Sequence, residues 1–352
     1  MTASTAGRRK TMKLNRKYFI PSIIILVLIT FLVGYRLPYY IYKPGGADAL
    51  NPIVTVNDGF TSEGDMHLVT VSGITATPFS YLWASIRPYQ EITPIENVFP
   101  EGISKDAYFR LQLQMMEGSQ EASKVVAYQA ANKTIDIQYI GVYVVAVVEG
   151  MPAEGILQPG DKITKLDNVE IQNTNDLMDY VGGKAAGDTI QLTIEREGNE
   201  QIEEITLQKF PGETKKVGIG ISLVTDREVT VDPPVNFSSG QIGGPSAGLM
   251  FSLEIYDQLT EEDLTKGYQI AGTGEIDYDG NVNRIGGIDK KVIAANNEGC
   301  EIFFAPNEGG AANSNYQIAK QTAEDIGSSI KVVPIDTFDQ ALDYLKQLEP
   351  KA

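Results

Sequence analysis

The chain has almost none of the side chains on which many hydrolases depend. Its 352 residues include one histidine and one cysteine. A Ser-His-Asp triad or a Cys-His dyad would have to use His67, and a zinc site would lack its usual ligands. No intramolecular disulfide can form. The composition therefore argues against a metal hydrolase, and we predict neither a metal site nor a cofactor.

His67 and Cys300 have structural interpretations. His67 lies in the alternating run Met66–Val71, which predicts a strand with a partly exposed histidine. Cys300 follows Gly299 and precedes an apolar run, which favours a packed, near-buried thiol.

A nucleotide-binding signature is also missing. The sequence contains no GxxxxGK[ST] stretch, so nothing in it indicates a P-loop or the use of ATP.

Charge is distributed unevenly. The chain has 29 basic and 46 acidic residues, and six of the basic ones lie in residues 1–17, leaving 23 for the remainder. Such an acidic surface repels nucleic acid and disfavours anionic lipid. We expect no nucleic-acid partner.

The segment Tyr18–Tyr35 carries no charged residue and is near the minimum length for a bilayer span. Arg36 follows, and then the aromatic group of Tyr39, Tyr40 and Tyr42, which is typical of a membrane interface. We predict a cytoplasmic tail over 1–17, one transmembrane helix over 18–36 and an extracellular remainder at the cell membrane. The alternative is a cleaved signal peptide, but no small-x-small site directly follows the apolar run.

The rest of the chain is organised around the stretch from Gly243 to Lys291. After Gly243 and Gly244, Pro245 suits the first turn of a helix, and apolar residues then recur at helical spacing. This pattern predicts an amphipathic helix from Pro245, with Ser246 at its N-terminus. The free N–H groups and the dipole of a helix start would stabilise an oxyanion there.

Lys291 lies on the apolar stripe of a second predicted helix, which Gly299 should end. On this stripe the lysine would be desolvated and its pKa lowered, whereas Lys290 should point the other way. A neutral amine can accept a proton from a serine. Separately, a Gly-Pro-Ser step is most often a turn into a helix, and a lysine near a stripe usually extends to water.

Three motifs occur together in the order Gly-Pro-Ser-Ala-Gly, Thr-Gly-Glu-Ile and Ile-Gly-Gly-x-x-x-Lys. This series resembles the proteolytic domain of Lon-type proteases, which use a Ser-Lys dyad. The resemblance implies that Ser246 is the nucleophile, that Lys291 is its base and that Thr273 contacts the amine, with Gly244 and Pro245 supporting the serine. Many Lon enzymes carry an acid where this chain has Gly243.

A different unit begins at Tyr139. It resembles a PDZ domain, and the pattern Pro-Ala…Leu-x-Pro-Gly-Asp-x-Ile is its most specific part. The resemblance implies that backbone N–H groups at Ile140, Gly141 and Val142 hold a peptide carboxylate, with the peptide added as a strand beside the following helix. The alternative is a unit that spaces or covers the protease without binding a peptide.

The expected fold is an α/β (α+β) Lon-type proteolytic domain with an inserted PDZ domain and one N-terminal transmembrane helix. The predicted ranges are 50–125 for the N-terminal part of the protease domain, 130–209 for the PDZ domain and 211–349 for the remaining protease domain. A helix over 104–133 should pack on the protease core.

The sequence thus predicts a membrane-anchored, ATP-independent serine endopeptidase that cleaves extracellular peptides or flexible protein segments. The competing hypothesis is a membrane-tethered PDZ binding module with an inactive protease-like domain. Lon-type domains commonly form rings, so a homo-oligomer such as a hexamer is expected by analogy alone.

Overall fold

The computed structural model describes residues 16–99, 105–210 and 216–351, and most of the predicted basic tail over 1–17 lies outside them. The helices are α1 (Arg16–Gly34), α2 (Pro78–Ala84), α3 (Ile95–Val98), α4 (Lys105–Ala130), α5 (Thr174–Gly182), α6 (Gly248–Leu259), α7 (Ile288–Glu298), α8 (Asn315–Asp325) and α9 (Phe338–Lys346). The strands are β1 (Tyr39–Ala49), β2 (Val54–Val56), β3 (Asp65–Thr75), β4 (Glu91–Pro94), β5 (Thr134–Val147), β6 (Lys162–Leu166), β7 (Val169–Glu170), β8 (Thr189–Arg196), β9 (Asn199–Thr206), β10 (Gln208–Lys209), β11 (Val217–Gly218), β12 (Ile221–Asp232), β13 (Val235–Phe237), β14 (Gln269–Gly272), β15 (Glu275–Ile276), β16 (Val282–Asn283), β17 (Ile302–Pro306) and β18 (Lys331–Ile335).

The chain divides into two compact units. One unit runs up to Ala131 and resumes at Val235, and the other is Asn132–Pro234. The second unit is therefore inserted into the first. The division at 234 and 235 falls later than the boundary expected at 211, because β12 pairs with β5 along its whole length.

The first unit is built on a mixed six-stranded sheet in the order β18-β17-β14-β3-β1-β4. The strands from β18 to β3 are parallel, whereas β1 runs antiparallel to both β3 and β4. Side chains of α7 and α8 pack with those of β3, β14 and β17 in one buried apolar cluster. Parallel strands buried in this way are typical of layered α/β domains.

Two features of β1 go beyond the sequence pattern. Tyr40 and Tyr42, which were predicted at a membrane interface, lie in β1 and pair with β3 and β4, and their relation to a membrane stays a prediction. Gly45 and Gly46 do not end this strand, because they form a bulge against Thr70 of β3. A bulge takes up extra residues while the ladder continues on both sides.

His67 is also corrected, since it is buried and not partly exposed. Met66, His67, Leu68 and Val69 are all buried, so β3 does not show the burial of a strand with one solvated face. The Nε2 atom of His67 lies 2.6 Å from Oε1 of Gln269. Cys300 is buried as predicted, and burial raises the pKa of its thiol to about 12.

Helix α6 begins at Gly248, three residues later than predicted, and all twelve of its residues are buried. It is therefore a core helix and not an amphipathic one. Helix α7 begins after Gly287 and ends at Gly299, both in the left-handed conformation. Ile288, Lys291 and Val292 are buried on α7, as the apolar stripe predicted.

The larger antiparallel sheet of the second unit has the order β12-β5-β6-β8-β9, with β7 paired to β6, and β10 and β11 form a separate antiparallel pair. Its core contains apolar side chains from these strands together with Leu177 and Val181 of α5. Asp161, from the Pro-Gly-Asp motif, is buried. Burial alone would raise the pKa of its carboxyl group, but hydrogen bonds from Arg196 and the backbone of Gln158 hold it below its usual value.

No helix within residues 16–99, 105–210 and 216–351 has the length and apolar character needed to cross a membrane. The transmembrane helix predicted over 18–36 is therefore unconfirmed.

Candidate active site

Ser246 lies in a short turn just before α6, in the first unit. The backbone of this turn is held from two sides. Thr273 Oγ1 donates to the carbonyl of Ser246 at 2.8 Å, and Gly274 N donates to the same carbonyl at 3.0 Å. On the other side, Ser119 Oγ of α4 donates to the carbonyl of Pro245 at 2.9 Å. These bonds hold the backbone of the turn in place at Ser246.

Lys291 lies in the first turn of α7, and its side chain extends to the hydroxyl of Ser246. Its Nζ lies 2.6 Å from Oγ of Ser246 and 2.9 Å from Oγ1 of Thr273. Lys291 is 4% exposed and Thr273 is fully buried. The structure thus brings together the three residues to which the resemblance assigned the chemistry, while their catalytic roles stay predictions.

Burial lowers the pKa of Lys291 from 10.5 to about 7. No carboxylate pairs with its amine among the described residues, so nothing offsets the cost of desolvating a charge. Near neutral pH a large fraction of the amine is therefore uncharged. A neutral amine has a free lone pair and can act as a base toward a hydroxyl.

The neighbouring Lys290 was expected to point away from the core, but it is also 4% exposed. Its Nζ lies 2.9 Å from Oε2 of Glu91 and 3.1 Å from Oδ2 of Asp289. Burial alone would lower the pKa of Lys290, but these hydrogen bonds outweigh burial and raise it. Helix α7 thus carries two lysines that are equally buried by exposed fraction, and the one without an ion pair, Lys291, contacts Ser246.

The hydrogen bonds also orient the lone pair of Lys291. Thr273 Oγ1 uses its proton in the bond to the carbonyl of Ser246, so it can only accept a hydrogen bond from the amine. One N–H of a neutral Lys291 is thereby directed at Thr273. The lone pair is left to accept the proton of Ser246 Oγ.

Backbone donors lie next to the hydroxyl. Gly244 N donates to the carbonyl of Gln112 at 2.8 Å, and Gly248 N donates to that of Pro245 at 3.3 Å. The N–H groups of Ser246 and Ala247, between them, have no acceptor within the part of the chain that the structure describes. Free N–H groups just before a helix start suit a developing oxyanion.

Gly243 stands where many Lon enzymes carry an acid, and its surroundings explain a glycine there. A Cβ atom built on Gly243 would lie 2.8 Å from Cβ of Gln112, which is closer than real side chains approach. Gly244 has a φ of +92°, a backbone conformation that favours glycine. An acidic side chain at 243 would therefore require α4 to shift.

A cleft of about 1000 Å³ opens onto Ser246 and Lys291. Much of its wall is aromatic or aliphatic, and the side chains involved include Tyr40, Tyr42, Phe99, Tyr108, Phe109, Leu113 and Met116. Burial raises the pKa of Tyr42 to about 12, so its phenol stays neutral. Sequence reasoning missed this wall because its parts meet only when β1, β3 and α4 are assembled.

Strand β3 also borders the cleft. Its pairing with β14 ends at Leu68, and residues 69–73 line the cleft beyond that point. No strand among the described residues pairs with this edge of β3 after Leu68. An exposed edge next to a nucleophile can accept an extended peptide as an added strand.

The predicted peptide site of the second unit is corrected. Ile140, Gly141 and Val142 lie inside β5, where Gly141 pairs with β12 and Val142 pairs with both β12 and β6. These residues therefore lie within a strand ladder and not in a loop of free donors, and β12 occupies the side of β5 on which it pairs. The outer strand beside α5 is β12, and Thr174 N at the start of α5 donates to Thr225 Oγ1 of β12 at 2.9 Å.

Sequence reasoning also missed the contribution of α4 to the site. Ser119 and Ser123 are buried one helical turn apart, and Ser123 Oγ donates to the carbonyl of Gly248 at 3.0 Å. The available signal in the sequence was that Ser119 and Ser123 lie on the same helical stripe as Ala122 and Val126. In the structure, the two serines hold α4 against the start of α6.

Comparison with known families agrees with the presence of the two kinds of domain. Residues 204–347 match the family model of the Lon protease (S16) C-terminal proteolytic domain, and residues 111–207 match that of the PDZ domain. These matches identify a Lon-type proteolytic domain together with a PDZ domain in the chain.

Curated relatives are similar over part of the chain. The Lon protease of Mesomycoplasma hyopneumoniae is 34% identical over 102 residues, which cover 29% of this chain and 11% of the relative. The Lon protease of an Aster yellows witches'-broom phytoplasma is 32% identical over 101 residues, which cover 28% of this chain and 12% of the relative. The match thus spans about a tenth of the length of these relatives.

One solved structure is similar in sequence to part of the chain. The PDZ domain of an SdrC-like protein from Listeria monocytogenes is 31% identical, with a TM-score of 0.24. The match covers 25% of this chain and 93% of that domain.

Proposed function

We propose that this chain is an ATP-independent serine endopeptidase that is anchored in the cell membrane and cleaves peptides or flexible protein segments outside the cell. The observation that carries the peptidase assignment is the 2.6 Å contact between Ser246 Oγ and the buried, unpaired Nζ of Lys291. A lysine amine that is shielded from water can stay neutral and deprotonate the serine hydroxyl. The base therefore does not have to be a histidine, of which the chain has only one.

In the proposed reaction, Ser246 Oγ attacks the peptide carbonyl carbon while neutral Lys291 takes its proton. The N–H groups of Ser246 and Ala247 stabilise the resulting oxyanion. Lys291 then donates the proton to the leaving amine as the C–N bond breaks, which leaves an ester on Ser246. Lys291 next accepts a proton from water as the hydroxide attacks the ester. It returns that proton to Ser246 Oγ as the C–O bond breaks, which releases the acid and restores both the serine hydroxyl and the neutral amine.

The substrate follows from the cleft. Residues 69–73 of β3 offer an edge to an extended backbone, and aromatic walls suit apolar side chains. An extended segment has to be free of other structure before it can enter, so flexible chains and peptides are the proposed substrates. In the second unit, the outer edge of β12 is the place where a further peptide strand can add.

Membrane attachment and an extracellular site rest on the sequence. The run Tyr18–Tyr35 is uncharged, basic residues precede it and a strongly acidic chain follows it. Protease treatment of intact cells tests this placement, because an extracellular catalytic domain is digested while a cytoplasmic marker survives. A ring-shaped oligomer also stays a prediction.

The peptidase assignment is tested with purified full-length chain and a library of fluorogenic peptides. Ser246→Ala and Lys291→Ala should each abolish cleavage while the circular dichroism spectrum is retained, and added ATP should change nothing. A peptidyl boronate should bind the wild type at Ser246 and fail to bind Ser246→Ala. If the boronate does not label a folded wild type, the inactive scaffold with a PDZ binding module becomes the better hypothesis.

A further inference from the structure

An uncovered apolar surface is formed by α2 and the residues just after it, far in sequence from the motifs around Ser246 and Lys291. Phe79, Leu82, Trp83 and Ile86 are 56%, 64%, 45% and 74% exposed. Soluble monomers rarely leave several large apolar side chains exposed together, and such patches mark contact sites. We call these four residues the α2 patch.

The α2 patch is rigidly held. Thr77 and Ser80 form a capping box at the start of α2. On the opposite face of the helix, Ala84 is buried in a small apolar cluster with Ile41, and Tyr81 packs against that cluster. The exposure of the patch is therefore a property of a folded helix.

The α2 patch lies next to the end of α1. Leu37 N, just after α1, donates to the carbonyl of Ala76 at 2.9 Å, and Ala76 N donates to that of Tyr39 at 2.8 Å. Ala76 immediately precedes the cap of α2, so these bonds fix the two helix ends side by side. Most large apolar side chains between Ile20 and Val33 of α1 are exposed as well. One apolar surface therefore continues from α1 onto α2.

The chemistry of the patch fits a lipid interface better than a protein groove. Phe79 and Trp83 stack at 6.3 Å between ring centroids, and the guanidinium of Arg87 lies 4.4 Å from the centre of the Trp83 ring. Arg36 follows the last residue of α1 by two positions. Tryptophan rings favour the headgroup level of a bilayer, and arginines there reach lipid phosphates while their stems stay in apolar surroundings.

We propose that the α2 patch lies in the interfacial layer of a lipid bilayer, beside the point where α1 meets the membrane. This inference rests on the proposed membrane location and goes beyond it, because it assigns a second contact that fixes the orientation of the first unit. A single helix alone leaves an attached domain free to tilt. Two neighbouring contacts hold the first unit in one orientation to the surface.

Trp83 makes the proposal directly testable, since it is the only tryptophan in the chain. The full-length protein is reconstituted into vesicles of phosphatidylcholine and phosphatidylglycerol, and Trp83 fluorescence is recorded. We expect emission at shorter wavelength than in unfolded protein, quenching by lipids brominated near the headgroup, and protection from acrylamide. Leu82→Glu combined with Ile86→Glu should remove the quenching by brominated lipid.

Two controls separate the possible outcomes. Ile202→Glu changes an equally exposed apolar residue of β9 and should leave the Trp83 signal unchanged. Trp83→Phe combined with Ile202→Trp moves the probe to the second unit, where acrylamide should quench it. The proposal is overturned if Trp83 in the vesicle-bound wild type is open to acrylamide and untouched by brominated lipid. It is also overturned if protection depends on protein concentration and not on lipid, since that result indicates a second copy.

Vesicle flotation, measured in parallel, reports the α1 attachment separately. A chain that floats with vesicles while Trp83 stays in water keeps the proposed anchor and loses the α2 contact. Peptide cleavage by the same samples reports the catalytic proposal independently.

Discussion

Replacing Lys291 with methionine should inactivate the enzyme and make its fold more stable. Methionine has a similar length and no charge to desolvate. A fall in pKa from 10.5 to about 7 corresponds to on the order of 4 kcal/mol of lost stability at neutral pH. The two hydrogen bonds that the amine makes are each worth about 1 kcal/mol and would be lost. The net expectation is a gain of about 2 kcal/mol.

The gain should depend on pH in one direction. Because the folded-state pKa of Lys291 is lowered, the unfolded chain binds more protons than the folded chain between about pH 7 and about pH 10. Wild-type stability therefore rises with pH across that window, and the advantage of Lys291→Met shrinks. Urea denaturation of both proteins at several pH values measures this difference.

Lys290→Met is the matched control, because Lys290 is equally buried but paired with Glu91 and Asp289. Its pKa is raised, so this substitution should lower stability and leave peptide cleavage intact. The argument that burial desolvates the Lys291 amine is refuted by either of two results. One is that Lys291→Met is no more stable than the wild type near neutral pH, and the other is that the stability difference does not change with pH.

Four further outcomes are expected. Cleavage by the wild type should rise about tenfold per pH unit below the pKa of Lys291 near 7 and then level off, as a pH profile of kcat/KM would record. Thr273→Val should lower kcat about tenfold by freeing the amine, whereas Thr273→Ser should retain most activity. Burial raises the pKa of Glu254 from 4.5 to about 7, so stability should fall as pH rises through that window, and Glu254→Gln should remove on the order of 3 kcal/mol of this fall in urea titrations. Gly272→Ala should cost about 1–3 kcal/mol, because the new Cβ would lie 2.6 Å from Sδ of Met250, and a thermal melt equal to the wild type would contradict this.

The proximity of Ser246 and Lys291 was expected from the resemblance carried by three motifs together, and the helix that carries Lys291 was predictable from local signals. The helix stripe around Lys291 and the left-handed stop at Gly299 each depend on residues within a few turns. The start of α6 was placed too early because Pro245 is acceptable in a turn as well as in a first helical turn. Tertiary hydrogen bonds to the carbonyls of Pro245 and Ser246 hold that turn open, and no local pattern reports them.

The cleft and the second unit depended on distant pairings. Tyr40 and Tyr42 follow an apolar run and so indicated a membrane interface, but their role depends on pairing with β3 more than twenty residues later. The resemblance to PDZ domains located the unit, yet it assigned the peptide contact to β5. The pairing of β12 with β5 makes β12 the outer strand, and that contact joins residues almost at opposite ends of the unit.

The glycines of the sequence motifs limit what can be inferred about activity from the sequences of related proteins. Side chains added at Gly248, Gly274 and Gly287 would collide with Ile276, Val282 and Val71, so close packing around the motifs demands glycine at these positions. These glycines report how tightly the elements pack, and they say nothing about whether the reaction occurs. A related protein that had lost its serine could keep all of these glycines and still fold. The motif glycines alone therefore cannot distinguish an active peptidase from an inactive one.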